Sequence, residues 1–437
     1  MAGAGGRTIL SGARVIDAVD GVCEAATVVI EGGTIASVGS GAAPGPGEAD
    51  RVVHLEGKTI LPGMIQGHFH SGFGHFGAGI SAPMLGLEAP AGFYGMLATR
   101  NAKLALDCGF TALIGSSNGD YLDVSLREAI LLGIVEGPRV FAGSHELMTS
   151  GSQEDGENRA WFMRLGNQGS AKKLDGPEAF RKAVRQEIGR GCEVIKVTLG
   201  PGHGASPVED RCNLTPTELD AVVETAHERG RIVRAHAPSR TSILESARAG
   251  VDIIDHADRI DSECIDAVAA AGCAICPTLL WNQRFLDFAE NWDSETSGPL
   301  PIGDGFPETP EQTRDRVRKI REDFEYTCEW LPEVQRAGIP ILVGDDFGTP
   351  LLPHGDYISE FEVYVKQVGM APLEVLRWAT VNAAFRIGCG DELGRVAPGF
   401  RADLVVVSGD PSTEIGALRN VEAVLRDGVF VRNALAD

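Results

Sequence analysis

The chain has 437 residues, 43% hydrophobic and 23% charged, a composition that suits a globular enzyme with a large core. Its 61 acidic and 39 basic residues give a formal charge of −22, which repels nucleic-acid phosphates and anionic lipid surfaces. No run approaches the ~20 apolar residues that span a bilayer, the N-terminus shows no apolar leader, and the nine scattered cysteines suit reduced thiols. A cytoplasmic protein without nucleic-acid or membrane partners is therefore expected.

Residues from about 7 to 56 carry β-rich stretches, ARVIDA and ATVVIEGGTIASVG, around a Gly-Gly turn signal. From Thr59 onward, short apolar runs rich in β-branched residues alternate with helical patterns. The runs are Thr59–Ile65, Phe110–Ile114, Arg139–Ala142, Val194–Leu199, Ile232–Ala237, Val251–Asp255, Ala274–Leu280 and Pro340–Val343. Near-continuous apolar runs suit strands buried on both faces, as in a parallel sheet. The helices between them have readable ends. Thr215-Pro-Thr-Glu218 spells a capping box with proline at the first helical position, and that helix stops at Gly230. Ser239 and Asp261 are N-cap candidates for two further helices that end at Gly250 and Gly272.

Eight strands alternating with helices predict an α/β fold, a (β/α)8 TIM barrel over residues 59–395. After residue 396 the pattern turns β-rich again, with ADLVVVSG and VEAVLRDGVFVRN. Residues 1–58 and 396–437 are therefore expected to meet as one small β-sandwich. Between strands seven and eight, residues 281–338 form a long insertion, a candidate lid.

The chemistry-bearing residues fall at strand ends. In His68-Phe69-His70 the side-chain alternation of a strand puts both imidazoles on one side, where they can share a metal or be satisfied structurally. Lys196 lies inside the apolar strand VIKVTL. Buried there, it must pair with an aspartate, snorkel to the barrel mouth, or lose its proton and add carbon dioxide, becoming an anionic bridging ligand. His236 and His256 close the next two strands, and Gly344-Asp345-Asp346 closes the eighth, where a carboxylate can bind metal or accept a proton. Taken singly each is weak. Jointly they converge on the C-terminal end of one barrel, where barrel enzymes place catalysis. Cys273 and Cys276 form a C-x-x-C with no second pair at zinc-site spacing, and are read as core residues.

The motifs LPGMIQGHFH, VIKVTLG, RAHA, IIDHAD, ILVGDD and ELGRVAPGFRADLVVVSGDP together resemble the amidohydrolase superfamily, in the branch of imidazolonepropionases and metal-dependent dipeptidases. The resemblance implies that His68 and His70 hold the more buried metal, that a carboxylated Lys196 bridges two metals, and that His236 and His256 hold the second. It assigns Asp346 as metal ligand and proton shuttle. The family pattern has Gly-Thr-Asp or Gly-Ser-Asp here, so Asp345 is the alternative. Two zinc ions suit the set, while manganese, cobalt or iron fit the same ligands. Without carboxylation, a single metal on His68, His70, His236 and Asp346 is the alternative.

The implied reaction is hydrolysis of an amide-type C–N bond by metal-activated water, with Asp346 passing the proton to the leaving nitrogen. The small-molecule substrate is expected to be a dipeptide, an N-acyl amino acid, or an aryl amide, carbamate or urea. A cyclic-amide (imidazolone-type) ring hydrolase is the alternative, and a non-catalytic scaffold the alternative of another class. His203 and His354 are candidates for contacting substrate or an oxyanion. Arg159, Trp161 and Arg164 are candidates for a carboxylate clamp, and the aromatic loop after His70 for an apolar pocket. A symmetric homo-oligomer is also expected.

Overall fold

The structure is a computed structural model; it describes residues 6–40, 47, 50–74, 89–152, 169–293, 296, 300 and 308–435. Both ends of the chain build one eight-stranded sheet. Strands β1 (Thr8–Asp17), β2 (Gly21–Glu31), β3 (Thr34–Ser40), β4 (Arg51–His54) and β5 (Lys58–Pro62) come from the N-terminal end. Leu404–Ser408, Val421–Arg426 and Val429–Asn433 come from the C-terminal end. The seam between the two ends is an antiparallel register of Leu404–Ser408 on Pro62–Lys58. Leu10, Val28, Ile60, Leu404 and Leu425 form a core of their own under this sheet.

The run Thr59–Ile65, expected as one barrel strand, serves two sheets. Gly63 breaks it, and β5 stays in the terminal sheet while β6 (Met64–Phe69) opens the barrel. A side chain at Gly63 would lie 2.1 Å from the Thr111 hydroxyl, so the chain can cross between sheets there only as glycine.

The barrel continues through β7 (Phe110–Gly115) and then β8 (Arg139–Phe141) and β9 (Gly143–Met148), two halves of one bent third strand. β11 (Val194–Thr198), β12 (Ile232–His236), β13 (Ile253–Asp255) and β14 (Ala274–Cys276) follow in parallel register, with a short β10 (Ala171–Lys173) flanking β9. The eighth wall is extended chain at 340–343. Ile275 N donates to Pro340 O, Leu342 N to Ile275 O, and Gly67 N to Val343 O at 2.6 Å, which closes the ring. The seventh strand is shorter than expected. Pro277 has no N–H for the ladder and Thr278 turns to φ 55°, so Leu279 starts a helix instead of extending the strand.

The helical caps form as the sequence indicates. Thr215 and Glu218 close a capping box on Pro216–His227. Ser239 caps Arg240–Ala249 and Asp261 caps Ser262–Ala271, with Gly250 and Gly272 left-handed after them. After the helices Ala91–Asp107, Leu122–Leu131, Pro177–Arg190, Pro216–His227, Arg240–Ala249 and Ser262–Ala271 (α1 to α6), the insertion contributes α7 (Leu279–Glu290) and the 27-residue α8 (Pro310–Arg336). Much of the stretch between them lies outside the described residues. α8 lies against the loops that leave the fourth and sixth strands. Arg316 donates to Ala205 O at 2.7 Å, Asp323 accepts from Val208 N at 3.0 Å, and Thr327 donates to Asp258 O at 3.1 Å.

Candidate metal centre

The end of β6 brings His68 and His70 to one side, as strand alternation requires, while Phe69 packs outward against His354. Three ligand atoms converge there. His68 Nε2 lies 3.0 Å from His70 Nε2, and Asp346 Oδ1 lies 2.9 Å from the first and 3.1 Å from the second. The far nitrogens are engaged behind them. His70 Nδ1 donates to Ser117 O at 2.8 Å, and His68 Nδ1 lies 3.2 Å from Asp255 Oδ1. Each ring thus has one nitrogen held by the protein and the other aimed at a shared point, the arrangement of metal-ligating histidines. Nitrogen and oxygen donors without bulk between them fit a divalent ion of the zinc class.

Beneath this triad lies a buried charge cluster that the sequence did not disclose. Arg234, on β12, is fully buried. It grips Asp255 through Nε at 3.1 Å and Nη2 at 2.5 Å, and its Nη1 donates to Gly67 O and Gly115 O. Lys196 Nζ reaches the same Asp255 at 2.6 Å. One buried anion therefore serves two buried cations. Against its burial, Arg234 and Lys196 hold the Asp255 carboxyl well below the usual range. Of the options open for Lys196, pairing with an aspartate is the one this structure displays.

The other donors stand across the barrel mouth. The His236 ring lies 4.4 Å from that of His256, edge to face, and His256 lies 5.7 Å from His68. Burial, with Lys196 and His203 nearby, pushes His236 down to about 3, so its imidazole is neutral. His203 stacks on His256 with centroids 3.9 Å apart. Its Nδ1 lies 3.1 Å from both oxygens of Asp258, and its Nε2 lies 3.0 Å from Thr278 Oγ1. Thr278 Oγ1 in turn lies 2.6 Å from His256 Nδ1. Although burial opposes it, Asp258 raises His203 to about 9. His203, His256 and Thr278 all hold positive φ, at 94°, 75° and 55°, a conformation that costs a β-branched residue such as threonine roughly 1–3 kcal/mol.

The two carboxylates of Gly-Asp-Asp occupy different places. Asp346 faces the histidines, which hold it as a carboxylate well below the usual range despite burial. Asp345 points away and accepts from Leu280 N and Trp281 N, at the start of α7. Its burial, with Glu360 and Asp346 beside it, pushes its carboxyl well above the usual range. His354 lies behind the sheet, bonded to the Tyr357 hydroxyl at 3.0 Å, and not among the converging donors. Phe73 lies flat on His70, 4.0 Å away, so this member of the aromatic loop packs on a site residue. Residues 75–88 of that loop, and Arg159, Trp161 and Arg164, lie outside the described residues. Cys273 and Cys276 are buried in the seventh strand's core, as read. Asp255, Arg234, Asp258 and Thr278 escaped the sequence reading. The Asp of IIDHAD, two strands after Lys196, was the available signal for the first of them.

The sequence matches the profile of the amidohydrolase family over residues 59–431. Ochratoxinase of Aspergillus niger is 26% identical over 387 residues, covering 84% of this chain and 73% of the relative. Imidazolonepropionase of Cereibacter sphaeroides (strain ATCC 17029) is 25% identical over 451 residues, covering 97% and 100%. Among solved structures, a Xaa-Pro dipeptidase with methionine bound in its active site superposes with a TM-score of 0.81. It is 27% identical and is covered over 98% of this chain and 100% of its own. The chain belongs to the amidohydrolase family and is a metal-dependent hydrolase acting on carbon–nitrogen bonds.

Proposed function

We propose that the protein uses two divalent ions, zinc by the nature of its donors, to hydrolyse an amide-type C–N bond in a small molecule. The candidates are a dipeptide, an N-acyl amino acid, or an aryl amide, carbamate or urea. The observation that carries the reading is the convergence of His68 Nε2, His70 Nε2 and Asp346 Oδ1 to within 3.1 Å of one another. Lone-pair donors packed so closely repel unless a proton or a metal ion lies among them, and one divalent ion satisfies all three at once. His236 and His256 are assigned to the second ion and Lys196, as a carbamate, to the bridge.

The charge count under the site supports carboxylation. Arg234 already neutralises Asp255, so an ammonium on Lys196 leaves one buried positive charge in excess. Converting that amine to a carbamate makes it an anion facing the ions. When bound, the ions supply an activated water and polarise the scissile carbonyl. The chain's own groups do the rest. His68, His70, His236 and His256 fix the ions' positions, and the far nitrogens of His68, His70 and His256 keep those rings from turning. Asp346, a carboxylate at neutral pH, takes the proton released from the attacking water and delivers it to the leaving nitrogen.

The nine cysteines carry free thiols, which supports a reducing, cytoplasmic setting. Among the described residues no helix is long and apolar enough to cross a membrane. A symmetric homo-oligomer completes the reading.

The test is metal analysis of the purified protein, followed by a screen of the metal-loaded enzyme. Dipeptides, N-acyl amino acids and aryl carbamates or ureas make up the panel. Two equivalents of metal and turnover in one of these classes are expected. A protein that takes up no divalent metal would sink the proposal.

A further inference from the structure

We propose that Asp258, His203 and Thr278 form a positioning strut for His256, locking it in the one tautomer that can hold the second ion. The inference rests on the ligand role assigned to His256 above. It makes His203 a positioning residue and not a contact for substrate.

Proton accounting carries the argument. Thr278 Oγ1 has three neighbours: Pro277 O at 2.6 Å, His256 Nδ1 at 2.6 Å and His203 Nε2 at 3.0 Å. A carbonyl only accepts, so the single hydroxyl proton goes to Pro277 O. The oxygen's lone pairs must then accept from both rings. His256 therefore carries its proton on Nδ1 and keeps Nε2 as a lone-pair donor, and His203 donates through Nε2. The other nitrogen of His203 donates to Asp258, which takes it with both oxygens at 3.1 Å. Every polar atom of the chain Asp258–His203–Thr278–His256 except His256 Nε2, left for the ion, is thereby satisfied, in a setting where all four side chains are buried. Stacking of His203 on His256 at 3.9 Å removes the remaining freedom of the ligand ring. His203, His256 and Asp346 also offer donor atoms within 4.8 Å of one another, so the strut abuts the candidate ion site itself.

The surroundings show that this geometry is imposed from outside. Three members of the strut hold backbone angles in the left-handed region. The loops that carry them are tied from behind by α8, through Arg316 to Ala205 O and Asp323 to Val208 N, while Thr327 Oγ1 shares its proton between Asp323 O at 2.9 Å and Asp258 O at 3.1 Å. The insertion helix is thus a brace for the second ion's ligand.

The experiment compares Thr278→Val and His203→Phe, which keep shape or stacking but break the hydrogen bonds, with Thr278→Ser, which keeps the hydroxyl. Metal stoichiometry is measured across buffered free zinc, the visible spectrum is recorded with cobalt(II), and thermal unfolding is followed in the metal-free protein. The Val and Phe variants should bind the weaker ion about 10- to 100-fold less tightly and alter the cobalt spectrum, while the tighter ion stays. Thr278→Ser should restore both. Wild-type zinc affinities with only KM raised would return His203 to the substrate and overturn the strut. So would a Ser variant as defective as Val. Equal loss of both ions with a lower unfolding temperature of the metal-free protein would mark a general structural role and also overturn it. A wild type that holds one ion removes the second ion and the strut but leaves a metal-dependent hydrolase, whereas one that holds none removes that reading with it.

Discussion

The two halves of the site are held by opposite means. His68 and His70 stand at the end of a barrel strand, and behind them a fully buried Arg234–Asp255 pair ties five strands together, its own two and those that carry Gly67 and His68, Gly115, and Lys196. His256 and its partners stand just past strand ends, on backbone with positive φ, and depend on a hydrogen-bonded strut and an insertion helix. The first half is rigid because the barrel is. The second is rigid only while four loop side chains and α8 keep their contacts. A family that varies its loops on a fixed barrel can alter the second half without disturbing the first.

The sharpest way to break this comparison is at the residue shared by both halves. Lys196→Ala removes the proposed bridge and leaves Asp255 to Arg234 alone. Activity should fall to background with loss of the second ion, while His68, His70 and Asp346 retain the first. Metal content of the purified variant checks this, and full activity would remove Lys196 from the mechanism. Asp346→Asn separates chemistry from binding. With a ligand oxygen kept and the proton acceptor lost, kcat should drop about 10²- to 10⁴-fold while most metal remains. Steady-state kinetics beside metal analysis reads both, and an active Asn variant would move the proton to another group.

What the sequence disclosed follows the same division. Strand-borne donors were legible because period-two alternation and the strand-end rule place them without knowing any partner. The candidates His68, His70, Lys196 and His236 came from alternation within strands, and His256, one residue past its strand, from the strand-end rule alone. The sheet seam at Gly63 was not legible, since a run of apolar residues looks the same whether it feeds one sheet or two. Nor were Asp258 and Thr278, which meet His203 across 55 and 75 residues of chain. A lone Asp in a loop and a Thr after a proline carry no periodic signal. Arg234 went unnoticed for the converse reason: an arginine inside RIVRAH reads as a solvated strand edge until the barrel closes over it.

The barrel-held half makes its own prediction in stability. Arg234→Met leaves Asp255 buried with Lys196 as its remaining cation and strips donors from two backbone carbonyls. With Lys196 left to neutralise Asp255, the cost is that of two buried carbonyls without donors, about 1–3 kcal/mol each. Urea unfolding of the metal-free variant should show a loss of that size, and a shift of under about 1 kcal/mol would mean that water already reaches the cluster.

The smallest effect is expected where neither half is touched. Glu187, fully buried on the helix Pro177–Arg190, accepts from His145 Nδ1 at 3.1 Å and from Lys172 Nζ at 2.5 Å, behind β9. Burial opposes its charge, but His145 and Lys172 prevail and lower its pKa from the ordinary 4.5 to about 2. A carboxylate depressed in the folded state binds fewer protons there than in the unfolded chain, so its contribution is present above 4.5 and is lost as pH falls toward 2. The shift corresponds to about 3 kcal/mol. Metal-free wild type and Glu187→Gln should therefore differ by roughly that amount at pH 7, with the gap closing between pH 4.5 and 2. Zinc affinity of the variant at neutral pH should match the wild type for both ions. If the weaker ion were lost as well, the third strand would belong to the support of the loop-held half, and the division between a barrel-held and a loop-held ion would fail.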